Sequence, residues 1–323
     1  MLLKAQDEVV QQALITRLGI GVHPEKHYID VCEKAFIDVA PKGLTRVQTQ
    51  MCGSTSVEAA FKYAFMCYAA KKRENGLHAT PTQEELDTGA MNVAPGAPNY
   101  GILSFKSGFH GRMFASLSAT RTKPIFKLDI PAFDWPAAEP PRYKHPYAEN
   151  EEYNDAQDEA SIADVRNKIN QWREEKNCEV AAVIIEPVMS EGGDIYISPN
   201  FGQKLRDLTK ELGVYMIVDE VQSGVAVSGN FWAHDHWNLD SPPDFVTFAK
   251  KMLSCGFYHA EETKMVTPYR HFNTWMGDPV RAHLTAEQND IIRDDDLINQ
   301  ARVSGAYLHD KMRELEAAEP EFI

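Results

Sequence analysis

The sequence predicts an α/β protein with a mostly parallel central sheet flanked by helices. Three short apolar runs are typical of buried strands: residues 180–185 (VAAVII), 214–218 (VYMIV) and 245–248 (FVTF). Between the first two runs, Phe201, Leu205 and Leu208 recur at helical spacing, and Gly213 follows where a helix would end. Strand, helix and strand in this order form a βαβ unit, and repetition of such units indicates a parallel sheet covered by helices.

The segments before the first of these strands are predicted from caps and composition. Residues 55–58 (TSVE) match the capping-box pattern, so we expect a helix to begin there and to run to about Arg73. Residues 77–99 are rich in proline, glycine and threonine and predict a long surface loop. Residues 136–160 contain four prolines and seven acidic residues, which predicts a connection or an acidic flap rather than core.

Two further helical regions complete the predicted elements. Ile162, Val165 and Ile169 fall on one face of a helix that precedes the first apolar strand. After about Pro279 the pattern becomes helical, with a charged turn at residues 293–296 (RDDD).

Composition excludes several classes of function. The chain of 323 residues carries 33 Lys and Arg against 47 Asp and Glu, a net charge of −14 that disfavours nucleic acids and anionic membrane surfaces as partners. No apolar run approaches the roughly 20 residues of a membrane-spanning helix. The 5 cysteines are scattered and form no C-x-x-C pair, so we expect no disulfide framework, no zinc site and a reducing compartment.

Chemistry-bearing residues follow the predicted strands directly. Glu186, Asp219 and Lys250 each come at the carboxyl end of one strand, which is the edge where open parallel sheets bind ligands. An acid and a lysine there form either a buried structural ion pair or a site in which the lysine amine bonds to a carbonyl cofactor such as pyridoxal phosphate. The residues alone leave both alternatives open. A helix opening at residues 52–55 (CGST) would offer backbone N–H groups to the phosphate of such a cofactor.

Several longer motifs resemble the class III aminotransferases, which have the fold of type I pyridoxal-phosphate enzymes. The motifs are residues 109–112 (FHGR), 186–194 (EPVMSEGGD), 219–224 (DEVQSG) and 249–251 (AKK). Two tryptophan-containing runs, residues 229–237 and 272–279, resemble the family members that act on 4-aminobutyrate. The resemblance implies pyridoxal 5′-phosphate as cofactor and transfer of an amino group from 4-aminobutyrate to 2-oxoglutarate by a homodimer. The alternatives are another class III ω-aminotransferase, acting on ornithine or β-alanine, and an inactive remnant of the large domain.

The resemblance assigns catalytic and ring-contacting roles residue by residue. Lys250 matches the lysine that links to the cofactor, and Asp219 matches the carboxylate that faces the pyridine nitrogen. Val221 and Phe109 match the residues on the two faces of the ring, and Gln222 matches the residue near its phenolic oxygen. Lys251 is the adjacent alternative to the linking lysine, although the family register favours Lys250.

The remaining matches concern the phosphate and the substrates. Gly53 and Ser54 match the phosphate cup, and Thr274 matches a threonine that reaches the phosphate from the neighbouring subunit. Arg112 matches the arginine that holds the substrate carboxylate, and Glu191 matches the glutamate that switches between the two substrates.

Other candidates for metal or nucleotide binding are weaker. His234 and His236 resemble a metal pair, but no third ligand is placed by spacing, so structural roles are favoured. Residues 19–21 (GIG) lack the third glycine of a dinucleotide loop. Some family members hold an iron–sulfur cluster through Cys-Gly-Ser-Cys. Here Thr55 replaces the second cysteine, so we expect no metal. His110 is expected to position other groups rather than to react.

The resemblance also implies a domain division. Residues 1–50 are interpreted as a partial N-terminal segment, residues 51–285 as the cofactor-binding large domain, and residues 286–323 as the helical start of a small domain. Family members extend further at both ends, so most of the small domain is expected to be missing from this chain. The expected compartment is the cytoplasm, or the mitochondrial matrix if a presequence precedes Met1.

Overall fold

The computed structural model describes residues 6–16 and 26–319, so residues 19–21 lie outside the described part of the chain. Its α-helices are α1 (Glu8–Thr16), α2 (Tyr28–Cys32), α3 (Gly53–Ala70), α4 (Gln83–Ala90), α5 (Phe114–Ala119), α6 (Glu151–Lys176), α7 (Pro199–Leu212), α8 (Pro279–Asp294) and α9 (Leu297–Ala318). Its strands are β1 (Arg46–Gln50), β2 (Tyr100–Phe105), β3 (Ala137–Ala138), β4 (Glu179–Ile185), β5 (Val188–Met189), β6 (Ile195–Tyr196), β7 (Tyr215–Asp219), β8 (Phe245–Phe248) and β9 (Cys255–His259). A π-helical turn at Glu33–Ile37 continues α2.

The central sheet confirms the predicted α/β class. Within the described residues it has seven strands in the order β1-β9-β8-β7-β4-β2-β3. Strands β3, β2, β4, β7 and β8 are parallel, whereas β9 pairs antiparallel with both β8 and β1. Therefore β1 runs in the direction of the parallel strands, and its carboxyl end lies at the same edge as theirs. Strands β5 and β6 form a separate antiparallel pair.

The predicted βαβ unit is present as β4, α7 and β7. Strands β4 and β7 pair directly, with Val183 opposite Met216. Ser198 caps α7 by accepting the N–H of Phe201 at 2.9 Å, and Gly213 ends the helix with a φ of +67°. Because a left-handed backbone disfavours residues that carry a Cβ, glycine suits that position.

The core lies on both faces of the sheet. Tyr63 of α3 contacts Phe245 and Phe257 on one face, with ring centroids 6.0 and 5.2 Å away. Trp232 contacts Tyr258 and Phe248 on the other face. Since successive strand residues point to opposite faces, the neighbours Phe257 and Tyr258 serve the two halves of the core.

Helix α3 begins three residues earlier than the capping box at residues 55–58 predicts, so that prediction was wrong in this detail. Its N-cap is Cys52, and Thr55 is an N3 residue whose hydroxyl accepts the backbone N–H of Cys52 at 2.9 Å. Glu58 is not part of the cap, because its carboxylate accepts the N–H groups of Ala115 and Ser116 at the start of α5. The shift places Gly53 and Ser54 in the first turn of α3.

Two predicted loops contain regular structure. The loop predicted for residues 77–99 includes α4, which Thr82 and Glu85 begin with a reciprocal capping box. The predicted connection at residues 136–160 includes β3, which pairs with β2, and the first turns of α6. Both predictions relied on the overall composition of these residues. They were wrong where a local helix cap and a short apolar pair of residues determine the structure.

The C-terminal part is helical, as predicted. Helix α8 begins at the N-cap Asp278 and runs through position 285, where a domain boundary was placed, and it packs against α2 and the π-helical turn. The domain division therefore stays a prediction. Among the described helices, none combines the length and the apolar character that crossing a membrane requires.

Candidate active site

A cavity of about 480 Å³ opens at the carboxyl edge of the parallel strands, beside the N-terminus of α3. It is lined by Met51, Cys52, Gly53, Ser54, Phe109, His110, Gly111, Arg112, Glu186, Asp219, Val221, Gln222, Ala249, Lys250, Leu253, Cys255 and Arg281. The sheet and α3 thus bring residues from distant segments of the chain to one place.

Two glycines let the backbone close around this cavity. A Cβ on Gly53 would lie 2.8 Å from Cγ1 of Val221, so the first turn of α3 packs directly on the segment that follows β7. Gly111 has a φ of +121°, and a Cβ there would lie 2.4 Å from the Ser54 hydroxyl. A larger residue at position 53 would push α3 away from the segment after β7, and one at position 111 would push α3 away from the loop after β2.

Asp219 is the most firmly held acidic residue of the cavity. Its side chain is 3% exposed, and one carboxylate oxygen accepts the Thr247 hydroxyl at 2.9 Å and the N–H of Val221 at 3.1 Å. The other oxygen lies 2.8 Å from Nδ1 of His110, which is also buried. These bonds fix the carboxylate in one orientation. It can therefore serve as a partner for a group inside the cavity.

Glu186, which directly follows β4, is a second buried acid beside Asp219. One of its oxygens accepts the backbone N–H of Phe109 at 2.7 Å and so anchors the loop after β2. Burial, and then the nearby negative charge of Asp219, raise the pKa of Glu186 well above the ordinary value of a glutamate. Glu186 therefore holds its proton more firmly than an ordinary glutamate does.

Lys250 and Lys251 lie in different environments. Lys250 follows β8 with a φ of +51°, and its exposed side chain donates to the side-chain oxygen of Gln222. Lys251 is half-buried and donates to the backbone carbonyl of Gln222. Burial, and then the charge of Lys250, lower the pKa of Lys251. Only Lys250 of the two lines the cavity, so it is the amine available to a bound molecule.

Arg112 lies at the mouth of the cavity on an aromatic surface. Its guanidinium carbon is 4.1 Å from the ring centre of Phe126 and 5.2 Å from that of Phe109. Its backbone N–H donates to the Ser54 hydroxyl at 3.1 Å, which ties this segment to α3. An exposed guanidinium held in this way is suited to bind a carboxylate.

Glu191 and Thr274 do not line the cavity, whereas the other eight candidate residues do. Glu191 forms an ion pair with Lys123 at 2.6 Å, and this partner lowers the pKa of its carboxyl. Thr274 is exposed and lies on a neighbouring groove of about 360 Å³ that also contains Thr55. The roles of both residues stay predictions.

The sequence analysis did not identify some residues that line or support the cavity. Thr247, the single polar residue in the run FVTF, donates its hydroxyl to Asp219. A polar residue in an otherwise apolar strand could have identified this contact from the sequence. His110 was expected to be a positioning residue, and its bond to Asp219 agrees with that interpretation. Cys255 and Arg281 come from β9 and α8 and have no local pattern that marks them.

The histidines considered as a metal pair have protein partners. His234 lies 2.7 Å from Glu220, and His236 lies 2.9 Å from the carbonyl of Ser228. Within residues 6–16 and 26–319, no three His, Cys, Asp or Glu side chains form a group suited to a metal ion.

Comparisons with known proteins add independent information. The model of the family "Aminotransferase class-III" matches residues 2–323. A 4-aminobutyrate aminotransferase of Dictyostelium discoideum is 48% identical over 311 residues, covering 96% of this chain and 61% of the relative. A probable mitochondrial 4-aminobutyrate aminotransferase of Caenorhabditis elegans is 46% identical, covering 95% of this chain and 62% of the relative. The chain thus spans about three fifths of the length of these relatives.

Solved structures agree with the fold. The lysine aminotransferase of M. tuberculosis superposes with a TM-score of 0.78 at 26% identity, over 97% of this chain and 67% of that one. The similarity therefore extends over almost the whole chain in three dimensions as well as in sequence.

Proposed function

The chain belongs to the class-III aminotransferase family, and we propose that it binds pyridoxal 5′-phosphate and transfers the amino group of 4-aminobutyrate to 2-oxoglutarate. The products would be succinate semialdehyde and glutamate. Relatives named 4-aminobutyrate aminotransferase, at 43–48% identity over most of the chain, support this substrate. The observation that carries the proposal is one cavity lined by Asp219, Lys250 and the N-terminus of α3.

The donor set of the cavity fits pyridoxal phosphate. The first turn of α3 presents N–H groups without intrahelical acceptors, which suits a phosphate, and Gly53 and Ser54 would hold it. The buried carboxylate of Asp219 would face the pyridine nitrogen, and Lys250 would face the aldehyde. Val221 and Phe109 would contact the ring, with Gln222 near its phenolic oxygen.

The chain's own residues would then control two protons. When bound, pyridoxal phosphate supplies an electron sink for the bond that breaks at the amine-bearing carbon of the substrate. Asp219 would hold a proton at the ring nitrogen, because a fixed buried carboxylate stabilises a cation facing it. The Nζ atom of Lys250 would take the proton from the substrate carbon and deliver it to the carbon of the bound cofactor, since this amine is the one that lines the cavity.

Substrate binding is assigned to the mouth of the cavity. Arg112 would hold the carboxylate of 4-aminobutyrate by charge-assisted hydrogen bonds, which places the amine at the other end toward Lys250. Glu191 would change partners between the two substrates. Its ion pair with Lys123 is partly exposed, so the pair can open at modest cost.

We also propose that the active form is a homodimer. Exposed apolar side chains cluster in the segments that follow the loop carrying Arg112, namely Met113, Phe114, Ile125 and Leu128. An apolar surface of this kind is typical of an interface between subunits. A second subunit would bring its Thr274 to the phosphate. Sedimentation should give a dimer, and a monomer that retains bound cofactor would contradict the assignment.

The compartment is proposed as the cytoplasm, with the mitochondrial matrix as the alternative. Relatives from Sus scrofa and Homo sapiens carry "mitochondrial" in their names, which supports the alternative. Fractionation of cells that express the full gene separates the two.

The experiment that tests the function is a product assay with added pyridoxal phosphate. We expect glutamate and succinate semialdehyde to form in equal amounts from 2-oxoglutarate and 4-aminobutyrate. Ornithine and β-alanine serve as competing amino donors. Faster turnover with either would reassign the substrate, and no turnover with any donor would indicate an inactive remnant.

A further inference from the structure

Arg281 occupies a position in the cavity that no family motif assigned to it. It lies in the first turn of α8, whose N-cap is Asp278. Its Nη1 donates to the carbonyl of Met51 at 2.8 Å, and Met51 directly precedes Cys52, the N-cap of α3. The guanidinium of one helix is thereby held against the N-terminal end of another, inside the lining of the cavity.

The side-chain neighbours of Arg281 are one acid at the outer limit of an ion pair and one thiol. The Asp278 carboxylate is 3.9 Å from Nε of Arg281, and one of its oxygens accepts backbone N–H groups of α8. The neighbour on the other side is the Cys255 thiol, 3.7 Å from Nη1, whose pKa burial raises to about 11, so it is neutral at pH 7. The acids of the cavity, Glu186 and Asp219, lie at the ends of β4 and β7, whereas Arg281 lies beside β1 and β9.

Two positive features therefore converge at one end of the cavity. One is the guanidinium of Arg281, and the other is the N-terminus of the 18-residue helix α3. Their mutual repulsion is relieved when an anion binds both. A phosphate group suits this arrangement, because a guanidinium presents several N–H donors in a plane that matches phosphate oxygens.

We infer that Arg281 is a phosphate-binding residue of the cofactor site, acting together with the first turn of α3. The inference rests on the proposed function, since it concerns the phosphate of pyridoxal phosphate. It adds a side chain from the same subunit to the backbone groups of Gly53 and Ser54. It also separates two cations of the cavity by task, with Arg112 for the substrate and Arg281 for the cofactor.

The test compares ligands with and without the phosphate. Dissociation constants of pyridoxal phosphate and of pyridoxal are measured by absorbance for the wild-type chain, Arg281→Gln and Arg281→Lys. We expect Arg281→Gln to weaken pyridoxal phosphate about tenfold, as the loss of one charge-assisted contact implies, while pyridoxal changes less than about twofold. Arg281→Lys should be intermediate, because it retains the charge but not the planar donors.

A second measurement requires neither the aldehyde group of the cofactor nor enzymatic activity. Inorganic phosphate should raise the unfolding temperature of the wild-type apoprotein, and this rise should be smaller in Arg281→Gln. The matched control is Arg270→Gln, because Arg270 is an exposed arginine on a different groove and should leave all these values unchanged.

The outcomes distinguish the inference from the proposed function. Equal weakening of pyridoxal phosphate and pyridoxal in Arg281→Gln would show a structural role and overturn the inference. An effect confined to the Michaelis constant for the amino acceptor, 2-oxoglutarate, would also overturn it, by assigning Arg281 to the substrate. If the wild-type chain binds pyridoxal phosphate no better than pyridoxal, the proposed cofactor site itself fails.

Discussion

The floor and the rim of the cavity are built in opposite ways. The floor, which we define as His110, Glu186, Asp219 and Thr247, has side chains no more than 5% exposed, and each bonds to another part of this chain. The rim, defined as Arg112 and Lys250, has exposed side chains. The floor side chains are thus fixed by contacts within the chain, whereas the rim side chains are open to solvent.

Residues suited to the chemical step and residues suited to binding therefore lie in different parts of the cavity. A buried, bonded carboxylate cannot reorient, so it can set the protonation of a bound ring but cannot follow a substrate. Exposed lysine and arginine side chains can move, and they lose little when a ligand replaces their present partners. Substitutions in the floor should therefore change rates and stability, and substitutions in the rim should change binding or remove the reacting amine.

The largest effect is expected for Lys250→Ala in the rim. Turnover of 4-aminobutyrate should fall by about four orders of magnitude or more, because both the covalent link to the cofactor and the proton-transferring amine are removed. The matched control is Lys251→Ala, which should keep the absorbance band of the lysine-bound cofactor and most of the activity. A variant Lys250→Ala that retains this band would show that the assignment of the lysine is wrong.

The next effect is expected for Asp219→Asn in the floor. The amide keeps the shape and can still accept the Thr247 hydroxyl, but it no longer stabilises a proton on the ring nitrogen. We expect kcat to fall about 10³-fold, as for other preorganised charges, with cofactor still bound. Thr247→Val is the companion variant and should give a smaller loss, since it only loosens the carboxylate. Normal turnover in Asp219→Asn would make Asp219 purely structural.

A binding effect is expected for Arg112→Gln in the rim. The Michaelis constant for the amino donor, 4-aminobutyrate, should rise about 10-fold to 100-fold with a smaller change in kcat, because a charge-assisted contact to the carboxylate is lost. Arg142→Gln, an exposed arginine bonded to Ser107 outside the cavity lining, is the control. A pure kcat effect for Arg112→Gln would instead place Arg112 in the chemical step.

The smallest effect is expected for Glu186→Gln and appears as a pH dependence. Because the folded-state pKa of Glu186 lies above its ordinary value of 4.5, the folded chain retains a proton that the unfolded chain releases. The contribution of Glu186 to the free energy of unfolding is therefore complete below about pH 4.5 and decreases as pH rises toward the folded-state pKa.

Urea unfolding between pH 5 and 8 measures this dependence. Relative to the wild type, Glu186→Gln should gain stability with rising pH, by at most about 1.4 kcal/mol per pH unit. Glu179→Gln is the contrasting control, since Lys72 lowers the pKa of Glu179 below 4.5, so its stability difference from the wild type should stay constant between pH 5 and 8. A pH-independent difference between Glu186→Gln and the wild type would mean that Glu186 is charged in the fold.

The sequence predicted the rim and the floor to different extents. Apolar runs and a capped helix predicted β4, α7 and β7 closely, because burial on both faces of a parallel strand leaves an unmistakable local pattern. Family motifs then supplied Lys250, Asp219 and Arg112 by register. The bond from Thr247 to Asp219 and the approach of Arg281 to α3 are tertiary contacts between distant segments, so no local spacing encodes them.

The elements that were missed have similar physical reasons. Strand β2 has a short apolar core after a loop rich in proline, and α4 is a polar helix defined by its cap rather than by an apolar face. The sequence also did not identify the partner of Glu191, because Lys123 approaches it through a turn between α5 and β3.

The central claim is that this cavity holds pyridoxal phosphate through Lys250. The most direct measurement is to incubate the chain with pyridoxal phosphate, reduce the link with borohydride and identify the modified lysine by peptide mass spectrometry. We expect the phosphopyridoxyl group on Lys250, in one copy per chain, and we expect prior treatment with 4-aminobutyrate to remove it. Modification of Lys251, or of several surface lysines in similar amounts, would contradict the account.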